Sequence, residues 1–519
     1  MNTVCFSSKT LSSYLPGYLC LLLGFAPFGA LAADRVQEIE QYGVTWHFER
    51  PVEAGRFVSG DWWVLGPVAV ARISPSPGPS QAAQETDVRS RYGDRSLVDD
   101  DRMRNGSMLS PGTRGALDRQ GLDSRSRSYD PSLSLELPFT LEPGDRLISS
   151  VSSERIVEDR LQTPYILGQL GVFYTKPNGQ MALESAAVLT CLAERPPPDA
   201  FRPAYAGRDN PIHRARDIRW DRLPELAAPP SLPSWETFER LFERPWLEVP
   251  SSWQMQNFGP GLNGPIYGRE TARLGNMAAL MLMTDAPRDQ KETLLIRYLQ
   301  WGIDLRGMID AGRVYFSDGG WWQGRKLPIL FTALMLDQRG MAEFPPLPED
   351  FQRLRPSSAH PKPVAVFQED LNTYYGEGAE GQTVLWQMVW HTGAKPAYQE
   401  KPASDWTAAD KRSHAYCFNN SSAGVGTALA AQLMNLRGVW QHEPFFDYID
   451  YYMSEACFVE MPRWLPKGCR RTVDPFVEDM WELYRNEAPP PPPAGQARKF
   501  VWIDHKKAIG EWVENDRPE

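Results

Sequence analysis

The chain has 519 residues, of which 42% are hydrophobic, and its 65 acidic and 55 basic side chains give a formal net charge of −10. The apolar content excludes a wholly disordered protein, and the acidic balance argues against a nucleic-acid-binding protein, which needs a dominant basic face. At roughly 150 residues per domain, this length predicts two to four domains.

Residues 1–32 have the features of an export signal. Lys9 supplies a positive charge, Leu19–Phe25 form an apolar core, and Ala30-Leu31-Ala32 fits the small-x-small rule for signal cleavage. No later segment approaches the roughly 20 apolar residues that span a membrane. We therefore expect a secreted or periplasmic protein whose mature chain starts at Ala33 and contains no membrane span.

Four cysteines follow the signal: Cys191, Cys417, Cys457 and Cys469. In an oxidising compartment Cys457 and Cys469 would close a short loop, which leaves Cys191 to pair with Cys417. Four free buried thiols are the alternative. No two cysteines have CxxC spacing, so a structural zinc site is not expected.

Residues 33–205 are predicted to form a β-sandwich domain, because short β-favouring runs alternate with turn signals. The runs are Val44–Phe48, Trp62–Leu65, Val68–Ile73, Leu133–Leu137, Arg146–Val151 and Ala186–Leu192. Residues 75–130 are instead rich in Ser, Pro, Gly, Arg and Asp and contain few large apolar side chains. This composition predicts a long polar excursion over the surface.

Residues 206–233 are predicted to be a linker, after which helical periodicity replaces the strand pattern. The predicted helices are Ser234–Phe242, Gly268–Met283, Asp289–Ile309, Lys326–Leu336, Ser422–Leu436 and Glu443–Met453. Paired helices of this length predict an (α/α) toroid or partial helical barrel over residues 234–475, with its loops gathered at one end. Residues 476–519, which include Pro489–Pro493, are predicted to be a loosely attached, Pro-rich tail. The predicted fold class is therefore multidomain α+β.

The first candidate site is the Gly-rich stretch from Asn257 to Glu270. It brings Tyr267 to the predicted start of a helix, and Arg269 and Arg273 follow one turn apart. A helix N-terminus with two guanidinium groups is suited to bind a carboxylate or a sulfate. The alternative is that Glu270 and Arg273 form a surface ion pair of no functional consequence.

The second candidate site lies at residues 317–326, where three glycines surround Trp321 and Trp322, and Arg325 and Lys326 follow. Indole faces hold the apolar C–H surface of a sugar ring, and either cation is suited to hold an acidic group. The alternative is that one tryptophan belongs to the core and Lys326 is solvated.

Further candidates are His and Tyr residues that could transfer protons and Asn residues that could stabilise developing negative charge. We expect His391 and His414 to lie in loops beside aromatic side chains, which favours them as proton acceptors. The full set is Tyr374, His391, His414, Tyr416, Asn419 and Asn420.

Five strings of the sequence resemble a group of secreted bacterial proteins similar to the polysaccharide lyases that have a helical toroid. They are Asn105-Gly106-Ser107-Met108, Gly121-Leu122-Asp123-Ser124-Arg125, Tyr267-Gly268-Arg269-Glu270, Gly324-Arg325-Lys326 and Phe446-Asp447-Tyr448-Ile449-Asp450. Two strings depart from the pattern of that group. Trp321-Trp322 stands where the group carries His-Gly, and Cys417-Phe418-Asn419-Asn420 stands where it carries Cys-Cys-Thr-Ala. The resemblance covers most of the mature chain and implies lyase activity on an acidic polysaccharide.

A lyase of uronate-containing chains has to neutralise the sugar carboxylate, remove the neighbouring proton and protonate the leaving oxygen. The candidates for neutralising the carboxylate are Arg269, Arg325 or an Asn. The candidates for removing the proton are His391 and His414. The candidates for protonating the leaving oxygen are Tyr267, Tyr374 and Tyr416.

Two other functions fit the sequence. A non-catalytic glycan-binding or envelope scaffold protein would use the Trp-rich loops without turnover. An inverting glycoside hydrolase would use paired carboxylates. No cofactor is predicted, although scattered carboxylates leave a calcium ion as an open alternative, and no oligomeric state is predicted. The candidate carboxylates for the hydrolase are Glu270, Asp318, Glu369, Asp370 and Glu377.

Overall fold

The computed structural model describes residues 34–79, 100–110, 117–153, 182–208, 211–249, 258–265, 268–315, 319–344, 367–379, 381–387, 398–454, 473–487, 498–504 and 509–514. The fold is mixed α+β, with an N-terminal sheet followed by a helical region, and this part of the predicted fold class is confirmed. The predicted signal at 1–32, the spacer Pro489–Pro493, and the pair Cys457 and Cys469 lie outside the described residues.

Eight strands form one sheet in the described part of the N-terminal region. They are β1 (Asp34–Gln41), β2 (Val44–Arg56), β3 (Trp62–Leu65), β4 (Val68–Ser74), β5 (Ser107–Leu109), β6 (Phe139–Leu141), β7 (Arg146–Ser152) and β8 (Leu183–Leu192). Across the sheet their order is β5-β7-β8-β3-β2-β4-β6, with β1 paired to β2. β3 and β8 run parallel, and the other paired strands are antiparallel. The last strand of the region therefore lies inside the sheet and not at its edge.

The start of β2 shows how the sequence specifies this sheet. Val44, Trp46 and Phe48 are buried, and the residues between them are partly exposed, which is the alternation of a strand with one face on the core. Tyr42 and Gly43 join β1 to β2 with positive φ angles of 55° and 85°, as in a two-residue type I′ turn. Glycine adopts this conformation freely, whereas a tyrosine needs other contacts to hold it there.

The contacts that hold Tyr42 come from the start of the helical region. Its hydroxyl donates a hydrogen bond of 2.7 Å to the carbonyl oxygen of Glu243, 201 residues later. The Arg244 guanidinium lies 4.9 Å from the centre of the tyrosine ring. Burial raises the pKa of the Tyr42 phenol well above its usual value, so the hydroxyl stays a neutral donor. A local turn of the sheet is thus stabilised by a distant segment.

Part of the N-terminal region differs from the prediction for Leu133–Leu137. These residues do not form a strand: Leu133 ends a short 3₁₀ helix that starts at Pro131, and strand pairing resumes at Phe139. Pro131 and Pro138 have no backbone N–H to donate to a neighbouring strand, which accounts for the later start of β6.

The predicted surface excursion also differs, because residues 120–126 are buried. The Asp123 carboxylate accepts hydrogen bonds of 2.7 Å from Arg125 Nη2 and from the Ser152 hydroxyl. Arg125 also donates to the carbonyl oxygen of Ala182 at 2.7 Å. These partners satisfy the polar groups, so a segment of polar composition can lie inside the protein.

The helical region is built mainly from two pairs of packed helices: Gly268–Leu282 (α2) with Ala408–Leu433 (α6), and Arg288–Asp310 (α3) with Lys326–Met335 (α4). The helix Trp235–Leu241 (α1) also packs against α3. Five of the six predicted helices are confirmed with ends within one residue of the prediction. In the part of the chain that the structure describes, no helix is long and apolar enough to cross a membrane. The helices are α1 (Trp235–Leu241), α2 (Gly268–Leu282), α3 (Arg288–Asp310), α4 (Lys326–Met335), α5 (Gln368–Asn372), α6 (Ala408–Leu433), α7 (Arg437–Trp440), α8 (Glu443–Met453) and α9 (Pro475–Tyr484).

The predicted helix Ser422–Leu436 begins much earlier than expected, at Ala408, and ends at Leu433. Thr407 and Asp410 form a capping box: the Asp410 N–H donates to the Thr407 hydroxyl at 3.3 Å, and the Thr407 N–H donates to the Asp410 carboxylate at 2.8 Å. This arrangement satisfies two backbone donors at the helix start. His414 therefore lies on a helix, and the prediction that it lies in a loop is wrong.

The predicted C-terminal tail begins at residue 476, but a packed helix occupies its first part. Phe476, Val477 and Met480 of α9 are buried, and the Tyr484 hydroxyl donates a hydrogen bond of 2.7 Å to the carbonyl oxygen of Ala227. Two antiparallel hairpins complete the described secondary structure. Their strands are β9 (Thr373–Tyr375) with β10 (Val384–Trp386) and β11 (Arg498–Asp504) with β12 (Ile509–Glu514).

Arg202 links the sheet to the helical region through a buried ion-pair triad. Its Nε lies 2.7 Å from Asp61 Oδ2, in the loop before β3, and its Nη2 lies 2.6 Å from Asp304 Oδ2 in α3. None of the Arg202 side chain is exposed, and the two carboxylates are 4% and 2% exposed. Burial raises the pKa of Asp304, and the positive charge of Arg202 opposes this effect.

The two cysteines within the described residues are Cys191 in β8 and Cys417 in α6. Both are buried free thiols, so a disulfide between them is wrong. Burial raises the pKa of both thiols, to about 12 for Cys191 and about 11 for Cys417. At neutral pH they therefore behave as small core side chains.

Candidate functional site

Residues 319–325, called here the Trp turn, are fixed by side-chain amides from two helices. The Gln368 amide, at the start of α5, donates to the Gly319 carbonyl oxygen at 2.6 Å and accepts from the Trp322 N–H at 2.8 Å. The Asn420 amide, in α6, also donates to the Gly319 carbonyl at 2.6 Å. In return, the Gln323 amide donates to the Asn420 carbonyl oxygen at 2.5 Å. The turn and both helices are thus held as one unit.

Tyr416 and Asn420 lie one turn apart on α6, and therefore on one face of the helix. A Cβ atom added to Gly319 would lie 3.2 Å from Cε1 of Tyr416 and 3.8 Å from Cδ1 of Trp321. Tyr416 is half-buried, while Trp321 is 9% exposed. Three side chains predicted from the sequence therefore come together around Gly319.

The first residue of α2 touches the Trp turn directly. A Cβ atom at Gly268 would lie 2.1 Å from the carbonyl oxygen of Trp321 and 2.4 Å from that of Gly320, and both are backbone atoms that cannot rotate away. Only glycine fits here without moving the turn.

We expect Gly268→Ala to lower the free energy of unfolding by about 1–3 kcal/mol, because the added methyl group displaces backbone in a packed region. Chemical denaturation of the variant and the wild type measures the loss. Gly340→Ala is the matched control, since a Cβ atom there meets no atom within 4 Å, and its effect should stay within about 0.5 kcal/mol. Equal stabilities for the two variants would contradict the close approach of Gly268 to the backbone of the Trp turn.

The two arginines at the start of α2 form ion pairs with carboxylates of the chain itself. Arg269 and Arg273 are 2% and 3% exposed. Arg269 Nη2 lies 2.7 Å and Arg273 Nη1 2.6 Å from the Glu270 carboxylate, and Arg273 also binds Asp474. Burial alone would raise the pKa of Glu270, but Arg273 and Arg269 outweigh burial and hold the pKa below its usual value. These guanidinium groups stabilise the interior, and their predicted role in binding substrate stays a prediction.

The two cations after the Trp turn have similar surroundings. Arg325 is 4% exposed and lies 3.1 Å from the Glu248 carboxylate, and its Nη1 donates to the Gln323 carbonyl at 2.7 Å. Lys326 is also 4% exposed, and its Nζ lies 2.5 Å from the Asp370 carboxylate. Trp322 is 1% exposed, with the Arg325 guanidinium 5.6 Å from its ring centre. These three side chains belong to the interior of the helical region.

His414 lies in an aromatic box formed by Tyr398, Trp406 and Phe418, with ring centres 5.4, 4.7 and 4.8 Å from its own. Burial lowers the pKa of this imidazole to about 3. A proton acceptor works best when its pKa lies near the operating pH, so a base of this strength is poorly matched to neutral conditions. Tyr374 is likewise 5% exposed, and burial raises the pKa of its phenol well above the usual value.

Glu369 follows Gln368 in α5 and is 3% exposed. Neither of its carboxylate oxygens accepts a hydrogen bond of normal geometry from the described residues. Burial, together with the negative charge of Asp370, raises its pKa to about 7. A carboxyl group with this pKa holds its proton at slightly acidic pH and releases it just above neutrality, which is the range of a general acid–base group.

Three of the predicted site residues, Asn257, Tyr267 and His391, lie outside the described residues, as does the side chain of Asn419. Sequence reasoning did not find Gln368, which holds two backbone groups of the Trp turn. A single glutamine in a sequence cannot be distinguished from an exposed surface residue, so nothing in the sequence indicated the role of Gln368. Among the described residues, no group of three or more His, Cys, Asp or Glu side chains is placed to hold a metal ion.

Comparison of the chain with protein-family models, with curated proteins and with solved structures found no match.

Proposed function

We propose that the protein is an exported polysaccharide lyase, which cleaves an acidic, uronate-containing glycan by β-elimination. The observation that supports this proposal is the meeting of Tyr416, Asn420 and Trp321 around Gly319. The group combines a phenol for proton transfer, an amide that orients the turn, and an indole suited to pack on a sugar ring.

In this proposal Tyr416 protonates the leaving oxygen, and Asn420 keeps the Trp turn in place. The carboxylate of the substrate is neutralised by Asn257 or Asn419, because the four predicted cations near the site already pair with carboxylates of the chain. His391 is the preferred proton acceptor, since burial leaves His414 with a pKa of about 3.

The detailed architecture of the helical region and of the N-terminal sheet is also part of this proposal. We assign the helical region to the (α/α) toroid class, supported by the packing of α2 on α6 and of α3 on α4. The N-terminal sheet would be one part of a sandwich. In a toroid of this kind the site would lie where loops meet at one end, and the close approach of the start of α2 to the Trp turn supports this assignment.

We expect the wild type to release unsaturated uronate ends from at least one of alginate, hyaluronan, heparin and pectin, seen as a gain in ultraviolet absorbance. Tyr416→Phe should lower kcat by about 10²–10⁴-fold, the usual contribution of general acid–base catalysis. Tyr298→Phe is the matched control, because that buried hydroxyl has no hydrogen-bond partner in the described structure, and it should keep full activity. No absorbance gain with any of the polymers would contradict the lyase.

A second function, inverting glycoside hydrolysis, is favoured by one observation. Glu369 has the raised pKa, about 7, that a general acid needs to protonate a glycosidic oxygen. This chemistry gives reducing ends without a double bond. The same incubations therefore separate the two enzymes: reducing sugar without absorbance gain, abolished by Glu369→Gln, would favour the hydrolase.

A further inference from the structure

Helix α5 holds the Trp turn through the two neighbours of Glu369. The buried amide of Gln368 bonds two backbone groups of the turn, at 2.6 and 2.8 Å. The Asp370 carboxylate accepts from Lys326, the first residue after the turn, at 2.5 Å and from the indole N–H of Trp440 at 2.8 Å. A helix of five residues has too few backbone hydrogen bonds to be stable by itself. The positions of α5 and of the Trp turn therefore depend on each other.

Glu369 lies between these two contacts. Its side chain is 3% exposed, and neither carboxylate oxygen accepts a hydrogen bond of normal geometry from the described residues. Burial, followed by the negative charge of Asp370, raises its pKa to about 7. The backbone N–H of Gly324 opposes this shift, so the carboxyl group lies close to the Trp turn. When it ionises, α5 contains a buried charge without a compensating hydrogen bond, which is costly.

The charged groups on the elements packed around α5 already have partners within the described structure. Lys326 pairs with Asp370 at 2.5 Å. His442, which precedes α8, is neutral near pH 7, because burial lowers its pKa to about 4. The other groups pair among themselves: Arg325 with Glu248, and Arg437 with Glu443 and with Asp447, which also accepts from Tyr375. Among these groups, no cation is therefore left to neutralise Glu369 in the folded protein.

We propose that α5 is a pH-dependent clamp on the Trp turn. While Glu369 is protonated, Gln368 and Asp370 keep the turn and α5 together. When Glu369 loses its proton, α5 and the turn open together more often, because opening brings the carboxylate into water. The consequence for activity rests on the proposed function: the site around Gly319 is then assembled at slightly acidic pH and loosened above neutrality.

Opening of the clamp becomes more favourable as the pH rises. In the opened state the Glu369 carboxyl ionises near its usual pKa of 4.5, whereas in the closed state its pKa is about 7. Between these values the closed state binds more protons than the opened state, so raising the pH favours opening. From pH 6 to pH 8 the opening equilibrium should increase about tenfold, since most of the titration of the closed state falls in this interval.

Hydrogen–deuterium exchange of the full chain, measured by mass spectrometry on peptides from the Trp turn, tests the proposal at pH 6 and pH 8. The Trp322 N–H reports on the clamp directly, because it donates to the Gln368 amide. We expect the ratio of the wild-type exchange rate to that of Glu369→Gln to increase about tenfold between the two pH values. Taking the ratio at each pH removes the pH dependence of the exchange chemistry itself. Glu377→Gln, at an exposed position, is the control for replacing a carboxyl group by an amide.

Peptides from α3 in the same samples distinguish opening of the clamp from unfolding of the whole protein. The interior of α3 is buried, so the Trp turn should exchange faster than α3 at both pH values. If Glu369→Gln does not fold, the wild type alone serves. Its exchange in the Trp turn, divided by the rate of an unstructured peptide at the same pH, should then increase from pH 6 to pH 8.

An exchange ratio that does not change with pH, or equal exchange rates in the Trp turn and in α3, would overturn the clamp. The failure of the lyase gives a different result. Exchange that depends on pH through Glu369, in a protein that cleaves no polymer, would support the clamp and contradict the lyase. Cleavage by a protein whose exchange ratio is independent of pH would support the lyase and contradict the clamp.

Discussion

Arg202→Met is expected to lower the free energy of unfolding by about 3–5 kcal/mol, the usual cost of removing one partner of a buried ion pair. The methionine fills similar space but leaves Asp61 and Asp304, 4% and 2% exposed, without a counter-charge. Part of the loss arises because two carboxylates then face each other in a medium of low dielectric constant. Urea denaturation, followed by fluorescence and by far-ultraviolet circular dichroism, measures the change.

The matched control is Arg195→Met. Arg195 pairs with Glu53 at 2.7 Å, the same distance as in the triad, but the two side chains are 55% and 29% exposed. An exposed pair of this kind contributes about 0–1 kcal/mol. Adding Asp304→Asn to Arg202→Met should recover part of the stability, because it removes one of the unpaired charges. A loss below about 1 kcal/mol in Arg202→Met, or no recovery in the double variant, would show that the triad does not stabilise the fold.

We expect the unfolding free energy of Glu369→Gln, measured relative to that of the wild type, to increase as the pH rises from 4.5 to 7. In the unfolded chain this carboxyl ionises near its usual pKa of 4.5, whereas in the folded protein its pKa is about 7. Between these values the folded state binds more protons than the unfolded state, so the wild type loses stability with rising pH. The separation of the two pKa values corresponds to about 3 kcal/mol, which is fully expressed above pH 7.

The measurement is the difference in unfolding free energy between Glu369→Gln and the wild type at pH 5 and at pH 8. Taking this difference removes the effect of buried His414 and His442, whose pKa values burial lowers to about 3 and about 4. Those histidines destabilise both proteins alike as the pH falls below 6.5. Glu377→Gln, at an exposed position, is the control for replacing a carboxyl group by an amide. A pH-independent difference for Glu369→Gln would contradict the raised pKa.

Most helices could be predicted from the sequence because their apolar residues recur with the helical period. Lys326–Met335 is an example, since a first-turn proline, Pro328, is compatible with the pattern. The first half of α6 could not be predicted in this way, because residues 408–421 have no apolar stripe. The signal that was available there was the capping box, with Thr407 three residues before Asp410.

The candidate site was predicted in part. The residues around Gly319 were identified because glycines beside aromatic and amide side chains are typical of binding turns. The burial of the cations was not foreseen, because their partners are distant in the sequence: Glu248 is 77 residues before Arg325, and Asp474 is 201 residues after Arg273. Pairing over such separations depends on tertiary packing, which local pattern and spacing do not contain.

The triad also joins parts of the chain that are far apart in the sequence. Asp61 precedes Arg202 by 141 residues, and Asp304 follows it by 102 residues. A fragment that ends before α3 therefore leaves the Arg202 guanidinium with one of its two native counter-charges, and removing one partner of a buried ion pair is strongly destabilising. The N-terminal sheet and α3 are thus expected to lose their structure together when the protein is denatured.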